Sequence, residues 1–216
     1  MELGAHHLYR PCEMKAGDEL ENTRTGERAV IRRGSEDTNG EYLLGDLFVA
    51  PGGRLAAAHY HPSLEERWEV VAGRVAFLLD GREQTAEPGA KVVAPPGTVH
   101  DWWNAGDTEV HVLAEVRGPV VRFERMLETL WGLGSAGKTN RKGVPHPLQL
   151  AVLMNEYDDV MRLANPPRLV QKVLFGTFAP LGRLSGYRTW YPEYAAKPAD
   201  RGSAALSTAA DRLEPA

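Results

Sequence analysis

Cysteine is nearly absent from this sequence: Cys12 is the single thiol in 216 residues, so no disulfide can form within the chain. A lone thiol is typical of proteins in the reducing cytosol, and we therefore expect a cytoplasmic location. Long apolar runs are also missing. No stretch approaches the roughly 18 residues of a membrane-spanning helix, and the N-terminus lacks the apolar segment of a secretory signal. We therefore expect no membrane partner.

An excess of charge of one sign is absent as well. The formal net charge is -4, the sequence pI is about 6.0, and no basic block stands out, so we expect no nucleic-acid partner. The hydrophobic fraction of 43% is ordinary for a globular protein and is sufficient for a packed core. The length allows one domain with an elaboration, or two small domains.

Residues 41–118 alternate short apolar runs with turn signals such as Pro51-Gly52-Gly53, Asp80-Gly81 and Pro95-Pro96-Gly97. Regular short strands with this punctuation predict a mainly β domain, either a sandwich or a barrel. Residues 74–79, followed by Asp80-Gly81, predict one arm of a hairpin. Residues 1–40 are polar and irregular, and they predict an N-terminal arm with short strands, for example at residues 27–32.

After Gly118-Pro119 the apolar period changes from two to about 3.6, which predicts helices at residues 120–133, 147–164 and 167–181. Residues 119–190 are therefore interpreted as a helical extension. The apolar face of its first helix, with Phe123, Leu127 and Trp131, is expected to pack on the barrel or on a partner subunit. Residues 191–216 are alanine-rich and weakly patterned, and we expect a mobile tail there.

One motif is rejected on its context. Residues 132–139, GLGSAGKT, match the phosphate-binding loop pattern letter for letter. That loop requires a buried strand before it and a helix after it, because the helix N-terminus receives the phosphates. Here a helical period precedes the motif, and Gly143 and Pro145 interrupt any helix that could follow. We interpret the segment as a helix end and a solvated loop.

Three histidines and a glutamate form the strongest candidate site. His59 and His61 are two positions apart. On a strand, both imidazoles would therefore face the same side. A strand beginning near Glu66 can return beside them after the turn at residues 62–64, and His100 follows a proline- and glycine-built turn. Three imidazoles and one carboxylate suit one divalent transition metal, namely Fe, Mn, Ni, Cu or Zn.

These residues carry a resemblance to the cupin superfamily, whose two motifs are both complete here over residues 41–117. The first motif comprises Gly53, His59, His61, Glu66 and Gly73. The second comprises Gly89, Pro95, Gly97, His100 and Asn104. Glu65 is also at an allowed distance from His61, but Glu66 alone leaves six residues before Gly73, so Glu65 is expected to point outward. The resemblance implies a double-stranded β-helix (jelly-roll barrel) around one metal, followed here by α-helices, and commonly a homodimer.

Four protein ligands leave one or two coordination positions open on a five- or six-coordinate ion. The first hypothesis is a mononuclear dioxygenase, similar to quercetinase-like cupins, that acts on a small enol or phenol while Glu66 accepts the substrate's proton. The alternatives are a non-redox isomerase, cyclase or lyase, and a ligand-binding cupin without turnover. Trp68 and Trp102 share faces with metal ligands, so they are either walls of a substrate pocket or plain barrel core.

Overall fold

A computed structural model of the chain describes residues 13–54 and 57–198. Cys12 and the part of the predicted tail beyond residue 198 lie outside the described residues. In chain order the elements are β1 (Asp18–Asn22), β2 (Glu27–Arg33), α1 (Ser35–Thr38), β3 (Tyr42–Val49), β4 (His59–Tyr60), β5 (Glu65–Ala72), β6 (Val75–Leu79), β7 (Arg82–Ala86), β8 (Lys91–Ala94), β9 (His100–Asn104), β10 (Val110–Arg117), α2 (Val120–Ser135), α3 (Pro147–Glu156), β11 (Arg162–Leu163), α4 (Arg168–Leu184), a short 3-10 helix (Pro192–Tyr194) and β12 (Lys197–Pro198).

Two antiparallel sheets build the β domain. The larger sheet has the strand order β12-β1-β2-β3-β10-β5-β8, and the smaller sheet has the order β11-β4-β9-β6-β7. Neighbours in the sheets are seldom neighbours in sequence, which is the connectivity of a jelly roll. The predicted mainly β fold with a jelly-roll barrel and following helices is therefore confirmed.

The core lies between the sheets, and strands such as β2, β5 and β8 turn alternate side chains towards it. On β5, for example, Trp68 and Val70 are buried while Arg67 and Val71 are exposed. The largest fully buried apolar side chains of the β domain include Val49, Leu64, Val70 and Phe77. Packed apolar side chains of this kind supply the main driving force for folding.

The tight turns explain one motif residue, Gly73, and the predicted hairpin. Gly73 has φ 82°, and a Cβ there would lie 2.7 Å from Val110 Cγ1, so no larger residue fits. Asp80 and Gly81 both have positive φ and join β6 to β7 as a two-residue hairpin turn. The strand predicted at residues 27–32 is confirmed as β2.

The helices confirm two predictions and correct a third. α2 and α4 lie at the predicted positions. α3 ends at Glu156, eight residues before the predicted end, so the prediction of one helix over residues 147–164 was wrong. The helical period of apolar residues continues beyond Glu156 through Tyr157, Val160 and Met161. These side chains are buried, but the segment that carries them is not helical and returns to the barrel as β11. α2 also runs through Gly134, which confirms that a helix, not a strand, precedes the rejected phosphate-loop motif.

Both chain ends described by the structure join the larger sheet. β2 pairs with β3, β1 pairs with β2, and β12 pairs with β1. The residues of the predicted N-terminal arm thus extend the barrel sheet, and Lys197–Pro198 of the predicted tail lie on its edge. Within the described ranges, no helix has the length and apolarity needed to cross a membrane.

Candidate metal centre

Three of the predicted ligands lie on strands, the fourth directly follows one, and all four meet between the two sheets. His59 belongs to β4, His61 follows it directly, and His100 begins β9, which pairs with β4 through His59 and His100. These three imidazoles come from the smaller sheet. Glu66 lies on β5 of the larger sheet and faces them from the opposite side. An ion bound here would therefore connect the two sheets.

The distances are those of a compact ligand cluster. One ligand atom from each of the four residues lies within 4.8 Å of all the others. Glu66 Oε2 is 2.8 Å from His100 Nε2, and Glu66 Oε1 is 3.7 Å from His61 Nε2. Metal–ligand bonds of about 2.0–2.2 Å place ligand atoms roughly 3–4 Å apart around one ion, so the cluster has the required size.

Backbone carbonyls fix the orientation of all three imidazoles. Nδ1 of His59 lies 2.9 Å from Ala57 O, and Nδ1 of His100 lies 2.9 Å from Thr98 O. Nδ1 of His61 lies 2.7 Å from Val160 O, a carbonyl 99 residues away in the helical extension. A carbonyl only accepts hydrogen bonds, so each Nδ1 carries the proton and each neutral Nε2 presents a lone pair to the cluster.

This arrangement is suited to a bound cation. The Nε2 atoms of His61 and His100 are buried and have no hydrogen-bond partner among the described residues. The close approach of His100 Nε2 to Glu66 Oε2 would bring two lone pairs together, which is repulsive unless a proton or a metal lies between them. Three Nε2 atoms and a carboxylate aimed at one point therefore fit a divalent transition metal, with Fe, Mn, Ni, Cu and Zn all compatible.

The charge states agree with metal binding. Burial lowers the pKa of His59 to about 3, with the neighbouring imidazoles acting in the same direction, and burial also lowers the pKa of His61. Burial alone would raise the pKa of Glu66, but the surrounding imidazoles lower it to about 2. Burial likewise opposes charge on His100, but contact with Glu66 raises its pKa. At neutral pH the site thus offers an ionised carboxylate and neutral imidazoles at His59 and His61, and an ion would displace any proton that His100 shares with Glu66.

Glu65 lies on the outer surface, whereas the two tryptophans predicted to line a pocket lie in the barrel core. Glu65 pairs with Arg67 on the outer surface, at 2.6 Å, so it points outward as expected. Trp68 is buried, with its ring centroid 5.5 Å from that of His100. Trp102 is buried against Phe77. Both tryptophans belong to the barrel core, and a contact of either with a substrate stays a prediction.

The sequence alone does not identify two residues of the helical extension that contact His61. The Val160 carbonyl holds His61, and the Phe123 ring of α2 lies with its centroid 5.6 Å from that of His61. The apolar period of α2 predicts that Phe123 is buried, but not where. No sequence signal identifies Val160, because every residue type carries the same carbonyl.

Comparisons with known proteins agree with this geometry. The sequence pattern that describes the cupin domain matches residues 46–115. Germin-like protein subfamily 3 member 2 of Arabidopsis thaliana is 28% identical over 148 residues, which cover 64% of this chain and 65% of the relative. The matched region thus spans slightly less than two thirds of that relative's length.

Solved structures similar to this chain include two bacterial proteins. One is a predicted oxalate decarboxylase of Thermotoga maritima, at 20% identity and a TM-score of 0.42, with 51% of this chain and 97% of that chain covered. The other is a sugar phosphate isomerase from a cupin superfamily of Silicibacter pomeroyi, at 20% identity and a TM-score of 0.40, with 45% of this chain and 63% of that chain covered. The domain match and both complete motifs identify residues 46–115 of this chain as a cupin domain.

Proposed function

We propose that the protein is a metal-dependent cupin enzyme, a mononuclear dioxygenase that acts on a small enol or phenol. The observation that carries the proposal is the convergence of three Nε2 lone pairs and one ionised carboxylate on a single point. His59, His61, Glu66 and His100 would hold the ion. A bound Fe, Mn, Ni or Cu ion would supply redox chemistry and act as a Lewis acid toward a substrate hydroxyl.

The charge of Glu66 supports the choice of substrate class. A carboxyl group whose pKa is lowered to about 2 is ionised at neutral pH but is a weak base. It can accept a proton only from a hydroxyl that is itself acidic. Enols and phenols meet this condition better than simple alcohols do. Glu66 Oε1 and Oε2 are the acceptor atoms in this proposal, and the buried apolar ring of Trp68 lies beside His100.

Oxygen consumption tests this proposal. Protein loaded separately with iron, manganese, nickel or copper would be offered a panel of enols and flavonols while dissolved oxygen is recorded. We expect oxygen uptake with at least one metal and one substrate, and no uptake by a His100→Ala variant under the same conditions. No uptake with any metal would contradict the dioxygenase. Turnover without oxygen, for example with zinc, would instead assign the protein to the non-redox isomerases, cyclases or lyases.

A further inference from the structure

The segment after α3 crosses the barrel beside the metal centre. We call residues 157–164 the strap. It turns at Tyr157, whose carbonyl accepts hydrogen bonds from the backbone N–H groups of Val160 and Met161 at 2.9 Å each. It then enters β11, which pairs antiparallel with β4 through Arg162 with Tyr60 and Leu163 with His59. The strap therefore lies against the strand that carries the first histidine ligand and immediately precedes the second.

The strap holds β4 at several points. Ala164 N–H donates to Ala58 O at 2.8 Å, one residue before His59. The Val160 carbonyl accepts the 2.7 Å hydrogen bond from His61 Nδ1–H. The other neighbour of β4 in the smaller sheet is β9, so β4 would be an edge strand without the strap. A two-residue edge strand has little to fix its position.

His61 differs from the other two histidine ligands in its dependence on the extension. His59 and His100 each bond a carbonyl two residues away in their own segments, so their orientation is local. His61 bonds a carbonyl 99 residues away. Displacement of the Val160 carbonyl should therefore disturb the His61 imidazole and leave the carbonyl partners of the other two in place, which is a pattern that general destabilisation would not produce.

The strap is itself anchored by arginines. Arg122 of α2 bonds both carboxylate oxygens of Asp159 at 3.0 Å and the Glu156 carbonyl at 2.7 Å. Asp158 accepts from Arg162 and from Arg168 of α4. The position of the Val160 carbonyl is thus set by side chains of α2 and α4, which connects the helices to the ligand geometry.

From these contacts we infer that the helical extension helps to build the metal centre. Val160 is a positioning residue, whose carbonyl fixes the tautomer and ring orientation of His61. The inference rests on the proposed metal-dependent function. An outer hydrogen bond of this kind to a histidine ligand contributes roughly 10- to 100-fold to metal affinity. Loosening the strap should weaken metal binding by that factor without removing any ligand.

Two variants test the inference on the full chain. Arg122→Met removes the anchor to Asp159 and the Glu156 carbonyl, and Ala164→Pro removes the N–H that bonds Ala58 O. Arg183→Met is the matched control, because Arg183 pairs with Glu156 at 3.3 Å and does not contact the strap. Zinc affinity would be measured by competition with a chelator. The histidine tautomers would be read from side-chain nitrogen NMR of the metal-free protein.

We expect the zinc Kd to rise roughly 10- to 100-fold in both strap variants and to be unchanged in Arg183→Met. His61 should be an Nδ1–H tautomer in the unsubstituted protein and a mixture in Arg122→Met, whereas His59 and His100 stay Nδ1–H in both proteins. Folded variants with a zinc Kd within about twofold of the unsubstituted protein would overturn the inference.

Different results would contradict the proposed function and the role of the strap. If the variants do not fold, the tautomer of His61 in the unsubstituted protein still tests the inference. An Nε2–H tautomer there would overturn the role of Val160. If the unsubstituted protein binds no metal, the proposed function fails. The tautomer of His61 in the metal-free protein then tests the strap independently.

Discussion

At the scale of single residues, adjacent glutamates on β5 have opposite roles because a strand turns successive side chains to opposite faces. Glu66 faces three imidazoles between the sheets, whereas Glu65 pairs with Arg67 on the surface. The two residues have the same chemistry and neighbouring positions. They therefore provide a substitution pair in which only the direction of the side chain differs.

We predict that Glu66→Gln weakens binding of zinc or manganese at least tenfold, because the neutral amide replaces the only carboxylate among the four ligands. Glu65→Gln should bind metal as the unsubstituted protein does. Calorimetric titration of the three proteins at pH 7 checks the prediction. Equal losses in both variants would show that the carboxylate assignment is wrong.

A second residue-scale prediction concerns pH. Glu27 is 1% exposed, its Oε2 accepts hydrogen bonds from Asn22 and Thr25, and its Oε1 has no partner among the described residues. Burial raises the pKa of Glu27 to about 7 from an ordinary 4.5. The folded state then binds a proton more tightly than the unfolded state does. This contribution to stability is complete below pH 4.5 and is lost as the pH rises to about 7.

The free energy of unfolding should therefore fall by about 3 kcal/mol between pH 4.5 and 7.5 on account of Glu27. Glu27→Gln, which stays neutral, should lack this part of the decline. Urea denaturation across that pH range gives the measurement. An identical pH dependence in the variant and the unsubstituted protein would exclude Glu27 as the source.

At the scale of elements, α2 connects both ends of the described chain to the barrel. Glu124 accepts hydrogen bonds from the backbone N–H groups of Met14 and Ser35. One turn later, Glu128 accepts from Trp190 Nε1 and from Ala196 N–H, each at 2.9 Å. Buried carboxylates on one helix thus hold the segments before and after it.

We predict that Glu128→Leu frees the segment of residues 190–198, because Trp190 Nε1 and Ala196 N–H lose their acceptor. Unsatisfied buried donors cost about 1–3 kcal/mol each. Backbone hydrogen exchange in that segment should accelerate, while exchange in β5 and β9 stays slow. Glu193→Gln, at an exposed position of the same segment, is the control. Unchanged exchange in Glu128→Leu would contradict the anchoring role.

Sequence reasoning succeeded where a local pattern determines the structure. Strand alternation and the motif spacing predicted the convergence of His59, His61, Glu66 and His100, and the turn chemistry of Asp80-Gly81 predicted the β6–β7 hairpin. Sequence reasoning failed where tertiary contacts determine the structure. The carbonyls of Glu156 and Val160 bond Arg122 and His61, so α3 ends early although the apolar period continues.

At the scale of the whole molecule, the outer face of α4 is unusual. Its inner face is buried against α3, but the opposite half of the helix bears no charged side chain. Exposures there run from 40% at Leu174 to 86% at Leu184. The exposed apolar residues are Leu169, Val170, Val173, Leu174, Phe178, Leu181 and Leu184. Contiguous exposed apolar surface of this kind marks an interaction site.

We expect this face to pair with a second copy of the chain, in line with the homodimer implied by the family resemblance. An uncharged apolar face is complementary to itself under twofold symmetry. The flanking cations Arg168 and Arg183 are paired with Asp158 and Glu156, which leaves Lys172 as the one other cation of this helix for an anionic membrane.

Leu181→Glu should shift the protein from dimer to monomer in sedimentation experiments, because it places a charge within the exposed apolar face. Lys172→Glu, on the flank of the same helix, should leave the dimer intact. A monomeric unsubstituted protein at about 100 μM, a concentration well above the micromolar Kd of ordinary weak complexes, would contradict the expectation.

We infer that His59, His61, Glu66 and His100 hold one transition-metal ion between the two sheets. Elemental analysis after loading and desalting tests it most directly. We predict one ion per chain in the unsubstituted protein, and less than about a tenth of that in the His59→Ala/His100→Ala double variant, because two remaining ligands bind transition metals weakly. Stoichiometric metal in the double variant, or none in the unsubstituted protein, would contradict the claim.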